Sequence, residues 1–166
     1  MQVLLEMTRL ETVERNDLIS LSALVEEVFC DLDTVAKERK VTLIQASGEA
    51  EVTGNDTLVY RAVYNLVENA IKYNRSGGFV TVDCQQKRGQ AVVTVIDTGF
   101  GIPVKEWKSI FEPFFRSDKS RSRSMGGAGL GLALVSRIAE AHGGTVGVVR
   151  SSAFGTEMEL NLPQNG

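Results

Sequence analysis

Cysteine and proline are scarce in this chain of 166 residues, and both shortages narrow the class of protein. Its two cysteines, Cys30 and Cys84, stand far apart and form no C-x-x-C pair. A disulfide framework and a zinc site are therefore disfavoured. With 3 prolines and 43% hydrophobic residues, the composition is that of a globular protein and not of a disordered linker. A chain of this length can bury a core without metals or disulfides, so we expect one main domain.

A large excess of charge and long apolar runs are also missing. The 18 basic and 21 acidic side chains give a net charge of −3, whereas nucleic-acid-binding domains carry a basic excess. We therefore expect no nucleic-acid partner. No apolar run approaches the roughly 18–20 residues that span a bilayer. The first residues carry an early acid, Glu6, and no cleavage signal, so we expect a soluble domain of a reducing compartment without a secretory leader.

Apolar spacing predicts a mixed α+β domain. Residues at i, i+3 and i+4 spacing predict helices over 1–13, 22–40, 55–73 and 129–142. Alternating or continuous apolar runs predict strands over 41–45, 51–53, 79–86, 91–96, 145–149 and 156–162. Because the strands come mostly as hairpins and not in strict βαβ alternation, we expect a two-layer α/β sandwich. Its mixed, mostly antiparallel sheet has helices on one face.

The helix predicted over 55–73 carries a polar stripe opposite its apolar face. The stripe has the spacing i, i+3, i+4, i+7 and consists of Asn65, Glu68, Asn69 and Lys72. A solvated face is one interpretation, but two asparagines weaken it because asparagine is a poor helix former. An amide oxygen suits Mg²⁺, and a lysine one turn further suits phosphate. The stripe is therefore a candidate site for a metal and an anion.

Asp97 ends an apolar strand and is followed by Gly99 and Gly101. A buried carboxylate is costly unless a donor pairs with it, so this one can accept a hydrogen bond from a ligand amine. The plainer alternative is a strand-ending turn in which the aspartate is the turn former. The Asp-Thr-Gly of aspartic proteases is a third possibility, but that chemistry needs two such carboxylates. This chain has one and would have to dimerise.

A second glycine-dense segment, 126–131, opens onto the last predicted helix. Backbone N–H groups at a helix N-terminus form anion sites, and a flexible hinge is the alternative. The spacing is neither that of a P-loop nor that of a Rossmann fold. Between the glycine segments, we expect Phe111 and Phe114 to lie in the core or anchor a lid. Arg116 can neutralise phosphate charge, and the apolar-free run 117–124 can form that lid.

The single histidine, His142, falls in the last turn of the last predicted helix, before Gly143 and Gly144. We expect it to cap the helix as a partly positive imidazole that interacts favourably with the helix dipole. A catalytic role is disfavoured by this position.

In this order, the segments resemble the catalytic ATP-binding domain of sensor histidine kinases. That domain belongs to the wider ATPase superfamily of type II topoisomerases, mismatch-repair ATPases and the ninety-kilodalton chaperone. Residues 65–73 resemble the N box of the family, 97–102 the first glycine box, 111–116 the F box, and 127–132 the second glycine box. Gly155-Thr156, followed by Leu162-Pro163, resembles the last glycine box. The resemblance covers residues 18–163 and implies the two-layer Bergerat fold.

The resemblance implies a role for each matching residue. Asn69 would hold Mg²⁺ through its side-chain oxygen, with Asn65 and Glu68 nearby. Lys72 and Arg116 would contact the phosphates of ATP or ADP. These implied catalytic residues are Asn65, Glu68, Lys72 and Arg116.

The resemblance also implies further nucleotide contacts. Asp97 would accept a hydrogen bond from the adenine amino group, Tyr73 would lie near the adenine, and Gly101 and Ile102 would lie beside the ring. The backbone N–H groups of Gly127, Gly129 and Gly131 would donate to the phosphates. The other implied nucleotide contacts are Gly99, Phe115, Ala128, Leu130, Leu132 and Thr156. The family usually carries threonine where this chain has Ala128, so we expect weaker or slower phosphate handling.

The implied activity is that of a protein-histidine kinase, which transfers the γ-phosphoryl group of Mg·ATP to a histidine. In the family, that histidine lies on an upstream helical dimerisation domain. We expect residues 1–15 to be the remnant of its last helix and residues 16–166 to be the ATP-binding domain. The implied partners are that helical domain and a response regulator. The isolated domain would be a monomer without direct membrane contact, in the cytoplasmic part of a membrane-bound sensor.

Two alternatives remain within this resemblance. A catalytically silent module would bind nucleotide as a regulatory ligand, and Ala128 leaves that open. An ATP hydrolase of the superfamily would use a glutamate four residues before the metal-binding asparagine to activate water. Asn65 occupies that position here, which disfavours hydrolysis.

Overall fold

The computed structural model describes residues 14–115 and 131–164, which form three α-helices and seven strands. The helices are α1 (Leu21–Glu38), α2 (Asp56–Lys72) and α3 (Gly131–Ala141). The strands are β1 (Asp17–Ser20), β2 (Thr42–Gln45), β3 (Glu51–Gly54), β4 (Phe79–Lys87), β5 (Gln90–Asp97), β6 (Thr145–Ser152) and β7 (Gly155–Pro163). Two 3₁₀ turns, Val104–Glu106 and Ser109–Phe111, follow β5.

The main sheet has five strands in the order β2-β4-β5-β7-β6. Strands β2 and β4 are parallel, and each of the other neighbouring pairs is antiparallel. This is the mixed, mostly antiparallel sheet that the hairpin pattern predicts. A second sheet pairs β1 with β3 in antiparallel register. Strand β1 was not predicted, because its four residues contain only Leu18 and Ile19 as apolar positions and directly precede a helix.

The core lies between one face of the main sheet and the helices. Val82, Val95 and Met158 form one buried cross-strand row, and Cys84, Val93 and Leu160 form the next. Against this face, α1 packs on β4, α2 on β4 and β5, and α3 on β6 and β7. The two-layer α/β sandwich is therefore confirmed. Within residues 14–115 and 131–164, no helix combines the length and the apolar character that crossing a membrane requires.

Helix α2 begins where its sequence predicts. The side chain of Asn55 accepts a hydrogen bond from the N–H of Leu58 at 2.9 Å, which caps the helix. Its apolar face is buried against the sheet and consists of Val59, Ala62, Val63, Leu66, Val67, Ala70 and Ile71. Because this face is fixed in the core, the polar stripe on the other side has a fixed direction.

His142 joins the end of α3 to the start of α2. Its Nδ1 donates to the carbonyl of Ile138 at 2.8 Å, and its Nε2 accepts from the N–H of Asn55 at 3.1 Å. The ring is therefore neutral, since one nitrogen donates and the other accepts. Burial lowers the pKa of His142, and the charge of Arg15 lowers it further. The hydrogen bond to the carbonyl of Ile138 raises the pKa but does not cancel these effects. The capping contact is confirmed, but the predicted positive charge is wrong.

We expect acid to destabilise the fold through His142. The unfolded chain protonates this histidine near pH 6.5, whereas the folded protein does so only at a lower pH. The stabilisation is therefore complete above about pH 6.5 and is lost as the pH falls through the folded-state pKa. Urea unfolding followed by circular dichroism between about pH 8 and about pH 5 measures this change.

The variant His142→Ala separates this histidine from the other titrating groups. At about pH 8 it should be about 1–3 kcal/mol less stable than the wild type, because the N–H of Asn55 loses its acceptor. Its stability should also depend less on pH. Equal pH dependence in the variant and the wild type would contradict the prediction.

Candidate functional site

The polar stripe of α2 has the arrangement that its spacing predicts. Asn65, Glu68, Asn69 and Lys72 are all half-buried side chains on one face of the helix. Lys72 Nζ lies 3.8 Å from Glu68 Oε1. Asn65 Nδ2 donates to the carbonyl of Gly131, the first residue of α3, at 3.4 Å. The stripe therefore meets the N-terminus of α3 at its Asn65 end.

The side-chain amide of Asn69 makes no hydrogen bond to the described residues. Within residues 14–115 and 131–164, no three His, Cys, Asp or Glu side chains cluster so that they could hold a metal ion. Mg²⁺ usually takes one or two oxygen ligands from the protein and completes its shell with water and phosphate oxygens. A single amide oxygen could therefore serve as one protein ligand of a Mg²⁺ ion that takes its other ligands from water and phosphate oxygens.

Asp97 lies at the end of β5 with its two carboxylate oxygens in different surroundings. Oδ1 accepts the N–H of Gly99 at 2.8 Å and the N–H of Thr156 at 3.2 Å. Oδ2 has no hydrogen-bond partner among the described residues. Burial raises the pKa of Asp97, and the two backbone hydrogen bonds oppose that rise. One oxygen therefore forms the predicted strand-ending turn, and the other is available to a ligand donor.

The turn after Asp97 packs closely against two other segments. A Cβ on Gly99 would lie 2.3 Å from the carbonyl oxygen of Tyr73, which accepts the N–H of Phe100 at 3.4 Å. Gly101 has a φ of +83°, and a Cβ there would lie 2.1 Å from the carbonyl oxygen of Ser152. Glycine is required at both positions because no larger residue fits these approaches.

Hydrogen bonds hold the following residue against the β6–β7 hairpin. Ile102 donates its N–H to Ser151 Oγ at 2.7 Å and accepts from Trp107 Nε1 at 2.9 Å. Ser151 Oγ also lies 2.7 Å from Oγ1 of the buried Thr156. Six of the predicted nucleotide contacts therefore come together at one end of the sheet, namely Tyr73, Asp97, Gly99, Gly101, Ile102 and Thr156.

A surface cavity of about 300 Å³ opens beside Asp97, at the ends of β5 and β7. It is lined by Ile96, Asp97, Arg150, Ser151, Ser152, Phe154, Gly155, Thr156 and Glu157. Of the predicted site residues within 14–115 and 131–164, only Asp97 and Thr156 line it. The polar stripe of α2 is not part of its lining, so this cavity covers only the strand-end part of the predicted site.

Several predicted positions lie outside the described residues. They are Arg116, Gly127, Ala128, Gly129 and Leu130, the lid 117–124 and the helix predicted over 1–13. Of the second glycine box, Gly131 and Leu132 are described as the start of α3, where Leu132 packs against the core.

The described part of the F box is divided between core and surface. Phe111 packs against the core, as predicted. Phe114, at φ +64°, is 59% exposed, so it does not lie in the core, and the other predicted role, to anchor the lid 117–124, concerns residues outside the described ones. Phe115 is half-buried and donates its N–H to the carbonyl of Glu112 at 3.3 Å.

Sequence reasoning missed two residues that organise this site, Arg75 and Ser151. Arg75 bonds to carbonyls of the turn after Asp97, and Ser151 holds the backbone of Ile102. Neither residue belongs to a motif. A charged side chain in a turn, or a hydroxyl side chain near the end of a strand, indicates only solvent exposure, so no signal in the sequence distinguishes them.

Comparison with known proteins identifies the family. Residues 54–166 match the family described as histidine kinase-, DNA gyrase B-, and HSP90-like ATPase. The chain belongs to this family. The sensor-like histidine kinase SenX3 of Mycolicibacterium smegmatis is 33% identical over 165 residues, which are 97% of this chain and 43% of SenX3. The chain spans less than half the length of the curated relatives that it matches.

Two solved structures of histidine kinases resemble this chain in fold over most of its length. The mycobacterial sensor histidine kinase MprB superposes with a TM-score of 0.77 at 31% identity, over 89% of this chain and 97% of that one. Full-length ShkA, solved in complex with AMPPNP, gives a TM-score of 0.83 at 28% identity, over 98% of this chain and 34% of ShkA. The chain therefore matches one ATP-binding domain of a larger kind of protein.

Proposed function

We propose that this chain is the catalytic ATP-binding module of a sensor histidine kinase. The observation that carries the proposal is the position of α2, which joins the two ends of the site. Tyr73, at one end of α2, contacts the turn after Asp97, and Asn65 contacts the start of α3. The two residues are separated by about 12 Å of helix. An elongated ligand such as Mg·ATP would lie along the polar stripe, with its base and its phosphates at opposite ends.

The adenine would bind at the Asp97 end. Oδ2 of Asp97 would accept a hydrogen bond from the 6-amino group, because Oδ1 is already used by two backbone donors. The backbone of Gly101 and Ile102, with Tyr73 and Thr156, would lie beside the ring. Such a site selects a 6-amino purine over a 6-oxo purine, because the carboxylate repels an oxygen at that position.

The phosphates would bind at the Asn65 end. Asn69 would hold Mg²⁺, which neutralises phosphate charge when it is bound, with Asn65 and Glu68 nearby. Lys72 and Arg116 would contact phosphate oxygens, and the N–H groups of 127–132 would donate to them at the start of α3. ShkA, which the chain resembles, was solved with AMPPNP, and that supports an adenine nucleotide as the ligand.

The reaction would be phosphoryl transfer to an external histidine. The bond between the γ-phosphorus and the β,γ-bridging oxygen breaks, and a bond to an imidazole nitrogen forms, with ADP as the leaving group. Positioning and charge neutralisation dominate such transfers, so the residues above would suffice without a nucleophile of their own. In this proposal, residues 1–15 are the end of the helical acceptor domain, residues 16–166 are the ATP-binding domain, and a response regulator receives the phosphoryl group in the cytoplasm.

A calorimetric titration of the chain with Mg·ADP tests the binding step. We expect heat that fits one site, and much less heat with the 6-oxo analogue Mg·IDP. The chain joined to its upstream helical domain should form acid-labile phosphohistidine from labelled ATP. Absence of heat with every adenine nucleotide would overturn the proposal. Tight binding without transfer would instead leave a silent nucleotide-binding module, and rapid phosphate release by the isolated chain would indicate a hydrolase.

A further inference from the structure

Arg75 bridges three segments at the strand-end part of the site. It lies in the turn between α2 and β4, and its Nε donates to the carbonyl of Thr98 at 3.2 Å. Its Nη2 donates to the carbonyl of Gly99 at 3.5 Å and to that of Ala153 at 2.5 Å. The guanidinium carbon lies 4.9 Å from the centre of the Phe100 ring, which adds a cation–π contact.

The carbonyls that Arg75 contacts belong to the two turns that form the proposed base site. Thr98 and Gly99 follow Asp97, and the N–H of Gly99 donates to the carboxylate of Asp97. Ala153 lies in the β6–β7 turn, beside the segment that holds the backbone of Ile102. The Arg75 side chain therefore links the turn that follows Asp97 to the β6–β7 turn, in addition to the hydrogen bonds from Ile102 to Ser151 and from Thr156 to Asp97.

The backbone of Arg75 is itself held in place by a neighbouring side chain. The buried Asn74 accepts the N–H of Arg75 at 2.8 Å and the hydroxyl of Thr98 at 3.0 Å through Oδ1, and donates to the carbonyl of Phe79 at 2.9 Å. These hydrogen bonds hold the backbone of Arg75 close to Thr98, and the guanidinium group of Arg75 donates to the carbonyl of the same residue. A planar guanidinium can serve three carbonyls in fixed directions, whereas the ammonium of a lysine is a point charge.

We propose that Arg75 is a positioning residue for purine recognition, which holds the 97–102 turn against the β6–β7 turn before nucleotide binds. This inference rests on the proposed function, because it assumes that the base binds beside Asp97. Its consequence is specific. Loss of Arg75 should relax the direction of the Asp97 carboxylate, and so weaken the recognition of the 6-amino group more than the binding of the phosphates.

The test compares the dissociation constants of Mg·ADP and Mg·IDP, measured by calorimetry, in the wild type and in Arg75→Ala. We expect Arg75→Ala to bind Mg·ADP about tenfold more weakly, with a much smaller change for Mg·IDP. Arg75→Lys should recover only a small part of the lost affinity for Mg·ADP, because lysine keeps the positive charge but lacks the planar guanidinium group that donates to three carbonyls. Lys37→Ala is the charge-matched control, since it removes a cation that pairs with Asp33 on the exposed side of α1. It should leave both constants unchanged.

A purely structural role would lower the thermal midpoint of the nucleotide-free protein and leave the ratio of the two dissociation constants unchanged. That result, or an equal loss for both nucleotides, overturns the inference. If Arg75→Ala does not fold, Arg75→Lys carries the test, and an unchanged ratio in that variant overturns the inference as well. If the wild type binds Mg·ADP but the ratio is unchanged in the variants, only this inference fails. If the wild type binds neither nucleotide, the proposed function fails with it.

Discussion

Replacing Asn69 by alanine is expected to abolish phosphoryl transfer while the domain remains folded. Asn69 is half-buried on α2, and its side-chain amide makes no hydrogen bond to the described residues, so its removal breaks no hydrogen bond among them. Alanine is also the best helix former. The loss falls on the proposed Mg²⁺ ligand, and metal stabilisation of the transferring group is worth several kcal/mol. The transfer rate should therefore fall by at least about 100-fold. Labelled ATP and the chain joined to its helical domain provide the assay.

The dependence on Mg²⁺ distinguishes a metal ligand from a general contact. In the wild type, Mg²⁺ should strengthen the binding of ADP, and EDTA should reverse that effect. In Asn69→Ala, the affinity should be nearly the same with and without Mg²⁺. Asn161→Ala, on the half-exposed side of β7, removes the same side chain away from the site and should behave as the wild type. Persistent transfer by Asn69→Ala, or an unchanged response to Mg²⁺, would contradict the assigned role.

Features that depend on neighbouring residues could be predicted from the sequence. The start of α2 follows from Asn55, whose side chain caps the helix by accepting the N–H of Leu58. The polar stripe follows from the periodicity of the same helix. Strands β4 and β5 show apolar patterns and a turn between them, and they pair as predicted. The sequence allows Asp97 to act as a turn former or as an acceptor for a ligand. Its two oxygens show why both interpretations are open, since only Oδ1 is used by the turn.

Features that depend on segments far apart in the chain could not be predicted. The charge of His142 is decided by Asn55, whose N–H requires an acceptor on the ring, and no local pattern joins these two positions. Arg75 acquires its contacts only when the β5 end and the β6–β7 turn reach it in the fold. Strand β1 is too short for a period of two to be recognised, and its partner β3 lies beyond α1 and β2.

Asp97→Asn is expected to lower the affinity for Mg·ADP by about 100-fold without loss of stability. Asparagine can keep Oδ1 as the acceptor of Gly99 and Thr156, while its amide nitrogen replaces Oδ2 and faces the 6-amino group donor to donor. Burial raises the folded-state pKa of Asp97, so ionisation of this carboxyl lowers the stability as the pH rises from the unfolded-state pKa to the folded-state pKa, and the full cost applies above it. The nucleotide-free variant should therefore have a thermal midpoint at least equal to that of the wild type near pH 7.

The same substitution should reverse the preference between purines, which a general disruption of the site cannot do. The amide nitrogen of Asp97→Asn can donate to the 6-oxo group of IDP, so Mg·IDP should bind more tightly to the variant than to the wild type. Asp33→Asn, on the exposed surface of α1, is the matched control and should change neither affinity. Wild-type affinity for Mg·ADP in Asp97→Asn would show that this carboxylate does not contact the base. Equal losses for both nucleotides would show that it acts only through the turn that it closes with Gly99.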